Sequence, residues 1–166
     1  MWRVEPVRAR RGRLQVPAPR NPLTEALEAA HHELNALEAE TFEALAAGDI
    51  ARAATSFRAF RQSAERHIRC EEELLFPVFE MRARLPHGGP TSILRAEHGQ
   101  IRDLLRDLAR EIESGGSDAE RLRAALRGVV ADHQRKEETI LYPWTERLLT
   151  EGEVDRLLAR ARAFRD

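Results

Sequence analysis

The segment His67–Glu80, HIRCEEELLFPVFE, recurs as His133–Glu146, HQRKEETILYPWTE. Seven of the fourteen positions are identical, and two more exchange Leu for Ile and Phe for Tyr. The shared frame is H-x-R-x-E-E-x-[LI]-L-[FY]-P-x-x-E. It constrains the fold more than any other feature, because both copies must adopt one conformation and place the same polar groups against one interior.

The repetition extends beyond this frame. With His31 set on His98, Leu27 meets Leu94, Leu34 meets Ile101 and Leu37 meets Leu104. His31 precedes His67 by 36 residues and His98 precedes His133 by 35. The chain therefore reads as two helical hairpins, each with one histidine on its first helix and His-x-x-x-Glu on its second. This register selects His31 over its neighbour His32, which has no counterpart in the second half.

Helical spacing and punctuation place the elements. Asn21 and Pro22 can open a first helix, with Leu27, His31, Leu34, Leu37 and Leu45 along it. Gly48 ends it and Asp49 can cap a second, expected from about residue 50 to the low 80s and kinked at Pro77. Residues 86–90, PHGGP, form a loop, after which Thr91 or Ser92 can cap a third helix. Gly115 and Gly116 break that helix, and Ser117 to Glu120 has the form of a capping box. A fourth helix then carries His133 and Glu137, with a second kink expected at Pro143. Thr150 to about Phe164 has the length of a short fifth helix. Four long helices with short connections predict an all-α, up-down-up-down four-helix bundle over residues 22–166. Residues 1–21 show no helical period and are expected to form an extended basic arm; six Arg and one Glu fall in the first 22 residues.

Charged residues at 33% against 5% aromatics suit such a bundle better than a sheet. A formal net charge of -1 gives the whole molecule no pull towards nucleic acid or an anionic membrane. The arm lacks the interleaved aromatics of a nucleic-acid-binding tail. One cysteine, Cys70, excludes an internal disulfide. The chain has no apolar run of about 18 residues to cross a membrane and no secretory h-region near its start. The expected setting is the cytoplasm.

Four residues of α-helix turn through about 400°, so His67 and Glu71 stand above one another, as do His133 and Glu137. Phe60, Leu74 and Leu75 share the face of the first pair, which should be buried. A single His-x-x-x-Glu is ordinarily a surface pair, and a lone histidine on an apolar face is ordinarily a core residue. Four histidines in register across a duplication, two with a glutamate one turn on, bring four imidazoles and two carboxylates to one interior. Buried charges of this kind are unfavourable unless something cationic compensates. Two metal ions do so, since imidazole offers a neutral lone pair and each carboxylate can bridge. Other metal motifs fit less well: His-Glu-x-x-His is absent, and the ferritin-type Glu-x-x-His has the opposite order. Six N/O ligands suit iron or manganese, and zinc substitution is compatible with the ligand types.

The doubled H-x-x-x-E-E-x-[LI]-L-[FY]-P resembles the hemerythrin-like (HHE cation-binding) family, over about residues 22–148. The resemblance implies a four-helix bundle around two non-haem irons joined by an oxo or hydroxo bridge. Its ligands transfer to His31, His67, Glu71, His98, His133 and Glu137, with His31 and His67 on one iron, His98 and His133 on the other, and the glutamates bridging. It further implies a small ligand such as O₂, NO or peroxide, in sensing, storage or stress protection. The alternative is an enzyme-like protein of peroxide or nitric oxide handling, or of iron-centre repair. Oxygen-carrying members have a second histidine one turn from the helix-three ligand, where this chain has Leu94 and Arg102. Both irons are then expected to keep an open position and to autoxidise rather than carry O₂.

Neighbouring residues are read more plainly. Glu72 and Glu138 are expected to face solvent, Phe76 and Tyr142 to pack, Cys70 to be an inert buried thiol, and His32 and His87 to lie on the surface. Arg102 and Asn35, one turn beyond His98 and His31, are candidate partners of a ligand. Glu80 and Glu146 have no assignable role, and the sequence sets no oligomeric state.

Overall fold

The computed structural model describes residues 22–85 and 89–164. The basic arm, the Asn21 cap and His87 lie outside the described residues. All regular structure within them is helical. Helix α1 spans Pro22–Ala46. Helix α2 spans Ile50–Cys70 and continues through Glu71–Leu75 into Phe76–Ala83. Helix α3 spans Pro90–Ser114. Helix α4 spans Ala119–Lys136 and continues through Glu137–Leu141 into Tyr142–Leu148. Helix α5 spans Glu151–Arg162.

The caps follow the punctuation in part. Gly48 turns with φ 73, and the Asp49 side chain accepts from the Arg52 N–H. Gly115 closes α3 at φ 66. At the start of α3 the expectation fails. Gly89 is the N-cap, and Thr91 lies inside the first turn with its hydroxyl donated to Glu80 at 2.7 Å. The Ser117–Glu120 box does not form; Asp118 is the N-cap without a side-chain bond, and Glu111 Oε1 instead receives the Asp118 N–H. A capping box closes reciprocally at Thr150 and Glu153, opening α5.

In place of a simple kink, each repeated proline is preceded by a π turn. The Phe76 N–H bonds to the Glu71 carbonyl, and the Tyr142 N–H to the Glu137 carbonyl, each five residues back. Proline lacks an N–H and its ring crowds the carbonyl four residues earlier, and a wider turn relieves that crowding without ending the helix.

Two apolar clusters enclose a polar layer. One holds Leu23, Leu27, Leu74, Phe79, Leu94 and Leu141, and α5 covers it with Val154 and Leu157. The other holds Phe42, Phe57, Phe60, Ile101, Leu108 and Leu126. His31, Glu71, His98, His133 and Glu137 lie buried between them.

Glu80 and Glu146 have a role that the sequence leaves unassigned. Glu146 accepts from the N–H of Leu23 and from the N–H and hydroxyl of Thr24, at the start of α1. Glu80 accepts from the Thr91 hydroxyl and pairs with Arg95, at the start of α3. Thr24 and Thr91 correspond under the duplication. Each repeat thus ends by holding the first turn of a partner helix, where a carboxylate is favoured by unsatisfied N–H groups.

Candidate metal centre

The structure brings the six singled-out residues together as two overlapping groups of four. His31, His67, Glu71 and Glu137 form one, and Glu71, His98, His133 and Glu137 the other; in each, one ligand atom per residue lies within 4.8 Å of the rest. The Nε2 atoms of His31 and His67 are 3.0 Å apart, and those of His98 and His133 are 3.1 Å apart.

The carboxylates divide their oxygens between the groups. Glu71 Oε1 is 3.5 Å from His67 Nε2, and its Oε2 is 3.3 Å from His98 Nε2. Glu137 Oε2 is 3.3 Å from His31 Nε2, and its Oε1 is 3.1 Å from His133 Nε2. Both glutamates are fully buried. Glu71 Oε2 and Glu137 Oε1 have no hydrogen-bond partner despite these approaches. Buried carboxylate oxygens are ordinarily satisfied. Two orphaned acceptors facing two imidazole nitrogens fit a cation between them, and the N/O donor set suits iron, manganese or zinc.

Three outer carboxylates orient the rings. His31 Nδ1 donates to Glu138 at 2.7 Å, His98 Nδ1 to Glu72 at 3.0 Å, and His133 Nδ1 to Glu97 at 3.1 Å. With the proton held on Nδ1, the Nε2 lone pair is directed inward. Glu72 and Glu138 therefore do not simply face solvent as expected: a position about 100° round a helix meets the next helix of a bundle. Arg102 acts through Glu72, bonding it at 3.1 Å while also holding Glu65 at 2.9 Å. Asn35 donates to Gln134 at 3.4 Å. Lys136 pairs with Glu97.

Without a cation, the charges settle unequally. Burial opposes charge on His133, but the facing Glu137 carboxylate, the Glu71 charge and Glu97 outweigh it and raise its pKa to about 9. Burial likewise opposes charge on His31, yet Glu137, Glu71 and Glu138 raise its pKa above the usual value. Burial dominates at His67 and lowers it to about 4; Glu71 offsets this only in part, and three nearby imidazoles add to it. Burial pushes Glu137 up, but the facing His133 and His31 outweigh it and hold it below the usual carboxylate range.

Tyr142 corrects the sequence reading most. It packs as expected, with no exposed surface, but its hydroxyl also enters the centre. The oxygen lies 2.6 Å from Glu71 Oε1, 3.0 Å from Glu137 Oε2 and 3.1 Å from His31 Nε2. Its counterpart Phe76 stacks on His98, with ring centroids 5.6 Å apart and planes 5° apart. Cys70 is buried in the apolar cluster, and His32 is exposed. The signal for Tyr142 was present as the single aromatic exchange between the repeats.

A cavity of about 280 Å³ reaches His31, His67 and His133. Leu34, Phe60, Ala64, Ile101, Leu126 and Val130 line its apolar part, and Asn35, Gln134, Glu38, Arg123 and Arg127 its polar part.

No curated protein and no solved structure matches the chain. The family model described as Hemerythrin HHE cation binding domain matches residues 23–165.

Proposed function

The chain belongs to the hemerythrin HHE cation-binding family, and from that premise we propose a non-haem di-iron protein that binds or reacts with O₂, NO or peroxide. Its role is sensing, storage or stress protection, on an up-down-up-down four-helix frame in the cytoplasm. The observation that carries the proposal is the division of Glu71 and Glu137 between two histidine pairs, with one orphaned oxygen on each. Two adjacent cations satisfy both oxygens, and a single cation leaves one group of four unused.

Bound iron supplies one-electron chemistry towards small oxygen- or nitrogen-containing ligands. The chain supplies the rest. His31 and His67 hold one position, His98 and His133 the other, and the two carboxylates neutralise both. Glu138, Glu72 and Glu97 keep the Nδ1 protons and fix the rings. The apolar clusters exclude bulk water, while the cavity admits a ligand of a few atoms to the His31–His67 side and to His133.

Near His98, Leu94 is buried in the apolar cluster and Arg102 is held by Glu65 and Glu72. Neither supplies a further ligand, so the His98–His133 position remains coordinatively short. A short, accessible iron favours reaction with O₂ over reversible carriage. The same open path supports turnover of peroxide or nitric oxide as the second reading.

The test is anaerobic loading with Fe(II), elemental analysis, then stopped-flow mixing with O₂ followed by an argon purge. Two irons per chain and oxidation that persists after purging are expected. One zinc or no metal overturns the di-iron assignment. A long-lived oxygenated spectrum that reverts fully on purging overturns reactivity and makes the protein a carrier.

A further inference from the structure

We infer that Tyr142 is a seventh protein ligand of the centre, its phenol oxygen completing the position held by His31 and His67. The inference rests on the di-iron proposal above.

Spacing is the first ground. A first-row ion with bonds of about 2.0–2.2 Å in octahedral geometry holds adjacent ligand atoms about 3 Å apart. The His31 and His67 nitrogens are 3.0 Å apart, and His31 Nε2 is 3.3 Å from Glu137 Oε2. The Tyr142 oxygen lies 2.6, 3.0 and 3.1 Å from Glu71 Oε1, Glu137 Oε2 and His31 Nε2. It lies about as far from three ligand atoms of this position as His31 Nε2 lies from those of His67 and Glu137.

Electron pairs are the second. In the metal-free protein the phenol donates to Glu71 Oε1. A cation at the His31–His67 position draws on that same oxygen and on its two neighbours, so the O–H competes with the ion for their electrons. Breaking the O–H bond, with the proton passing to water, lets the phenolate oxygen give its own lone pair to the cation. A bound cation favours the deprotonated form of an oxygen or sulfur beside it. Ligation itself consumes no oxidant.

Local geometry is the third. The π turn Glu137–Leu141 carries residue 142 back over residue 137, which is how a side chain five positions on reaches the same carboxylate. The matching turn delivers Phe76 to the other side, where a phenyl ring stacks on His98 and offers no donor atom. The duplication has thus placed a ligand on one position and a spacer on the other.

Tyr142 is the only tyrosine in the chain, so a tyrosine signal has one source. The full chain is loaded with Fe(II) under argon, its iron counted, and oxidised with ferricyanide, which takes one electron per iron. Resonance Raman spectra with visible excitation are expected to show tyrosinate ring modes, shifted by ring-deuterated tyrosine, on a phenolate-to-iron charge-transfer band. Y142F, which places there the ring already tolerated at residue 76, is expected to retain both irons and lose the band and the modes. Two bound irons without ring modes in the unmodified protein overturn this inference alone. Failure to bind iron overturns it together with the di-iron proposal.

Discussion

The two halves of the centre share an inner set and differ in everything around it. On the His98–His133 side both rings are backed by carboxylates, Glu72 and Glu97, and these are anchored in turn by Arg102 and Lys136. On the His31–His67 side Glu138 backs His31, and the residue matching Glu97 is Ala30. Arg102 is matched by Asn35, and Phe76 by Tyr142. The cavity meets both rings of the first side and one of the second. A duplication fixes what two sites must have in common, which here is two imidazoles and half of each carboxylate. The differences fall outside those inner groups, in the carboxylates, cations and aromatic rings around them.

The largest effect should come from the residues that belong to both sides. Glu71→Gln or Glu137→Gln is expected to reduce iron at both positions, because an amide supplies neither the charge nor two equivalent oxygens. Wild-type iron content in both variants would show that the carboxylates do not bridge.

One side at a time should be lost with the histidines. His31→Ala or His67→Ala is expected to empty the first position, His98→Ala or His133→Ala the second, with helical circular dichroism retained. His32→Ala should leave the iron count unchanged; if it strips iron while His31→Ala does not, the alignment of the halves is wrong.

The outer layer should matter next, and unequally. Loss of an outer partner typically lowers metal affinity about 10–100-fold, so Glu97→Ala should weaken the second position by that order. Ala30→Glu should move the first in the opposite direction. Metal titrations that leave both affinities unchanged would show that the outer asymmetry has no consequence for binding.

Acidity should weaken metal binding on both sides. In the metal-free protein His133 keeps its second proton up to about pH 9, and a cation must displace it. Affinity at that side should rise with pH and level off near 9. On the first side His67, lowered to about 4, has no proton to lose near neutrality, but His31, raised above its usual value, does, so affinity there also rises with pH. Competition titrations across this range would contradict the assignment if affinity fell as pH rose towards 9.

The smallest effects should fall on the helix starts and be nearly alike in the two halves. Thr24→Val and Thr91→Val each remove one buried hydrogen bond, for about 1 kcal/mol of stability. Denaturant midpoints should show it. Glu146→Ala should exceed Glu80→Ala, since Glu146 accepts two backbone N–H groups as well as a hydroxyl.

The sequence by itself determined the helical hairpins, their duplication and the six inner residues, because these follow from the local period of the helix and from the register of two copies. His67 above Glu71 is a consequence of 3.6 residues per turn, whatever the helix packs against. The outer partners were not legible that way. The carboxylates on His31, His98 and His133 come from positions 107, 26 and 36 residues away, on other helices. Which of two adjacent glutamates turns inward and which meets a neighbouring helix depends on how the helices stand together. Tyr142 was hidden for a different reason. On an unbroken α-helix, five residues from Glu137 lead about 140° away from it. The π turn before Pro143 removes that offset and brings the hydroxyl to 3.0 Å from Glu137 Oε2. The repeated proline was visible in the sequence, but only the tertiary structure decided that the crowding it causes would be relieved by a wider turn, and that this turn would carry a phenol to one side of the centre and a phenyl to the other.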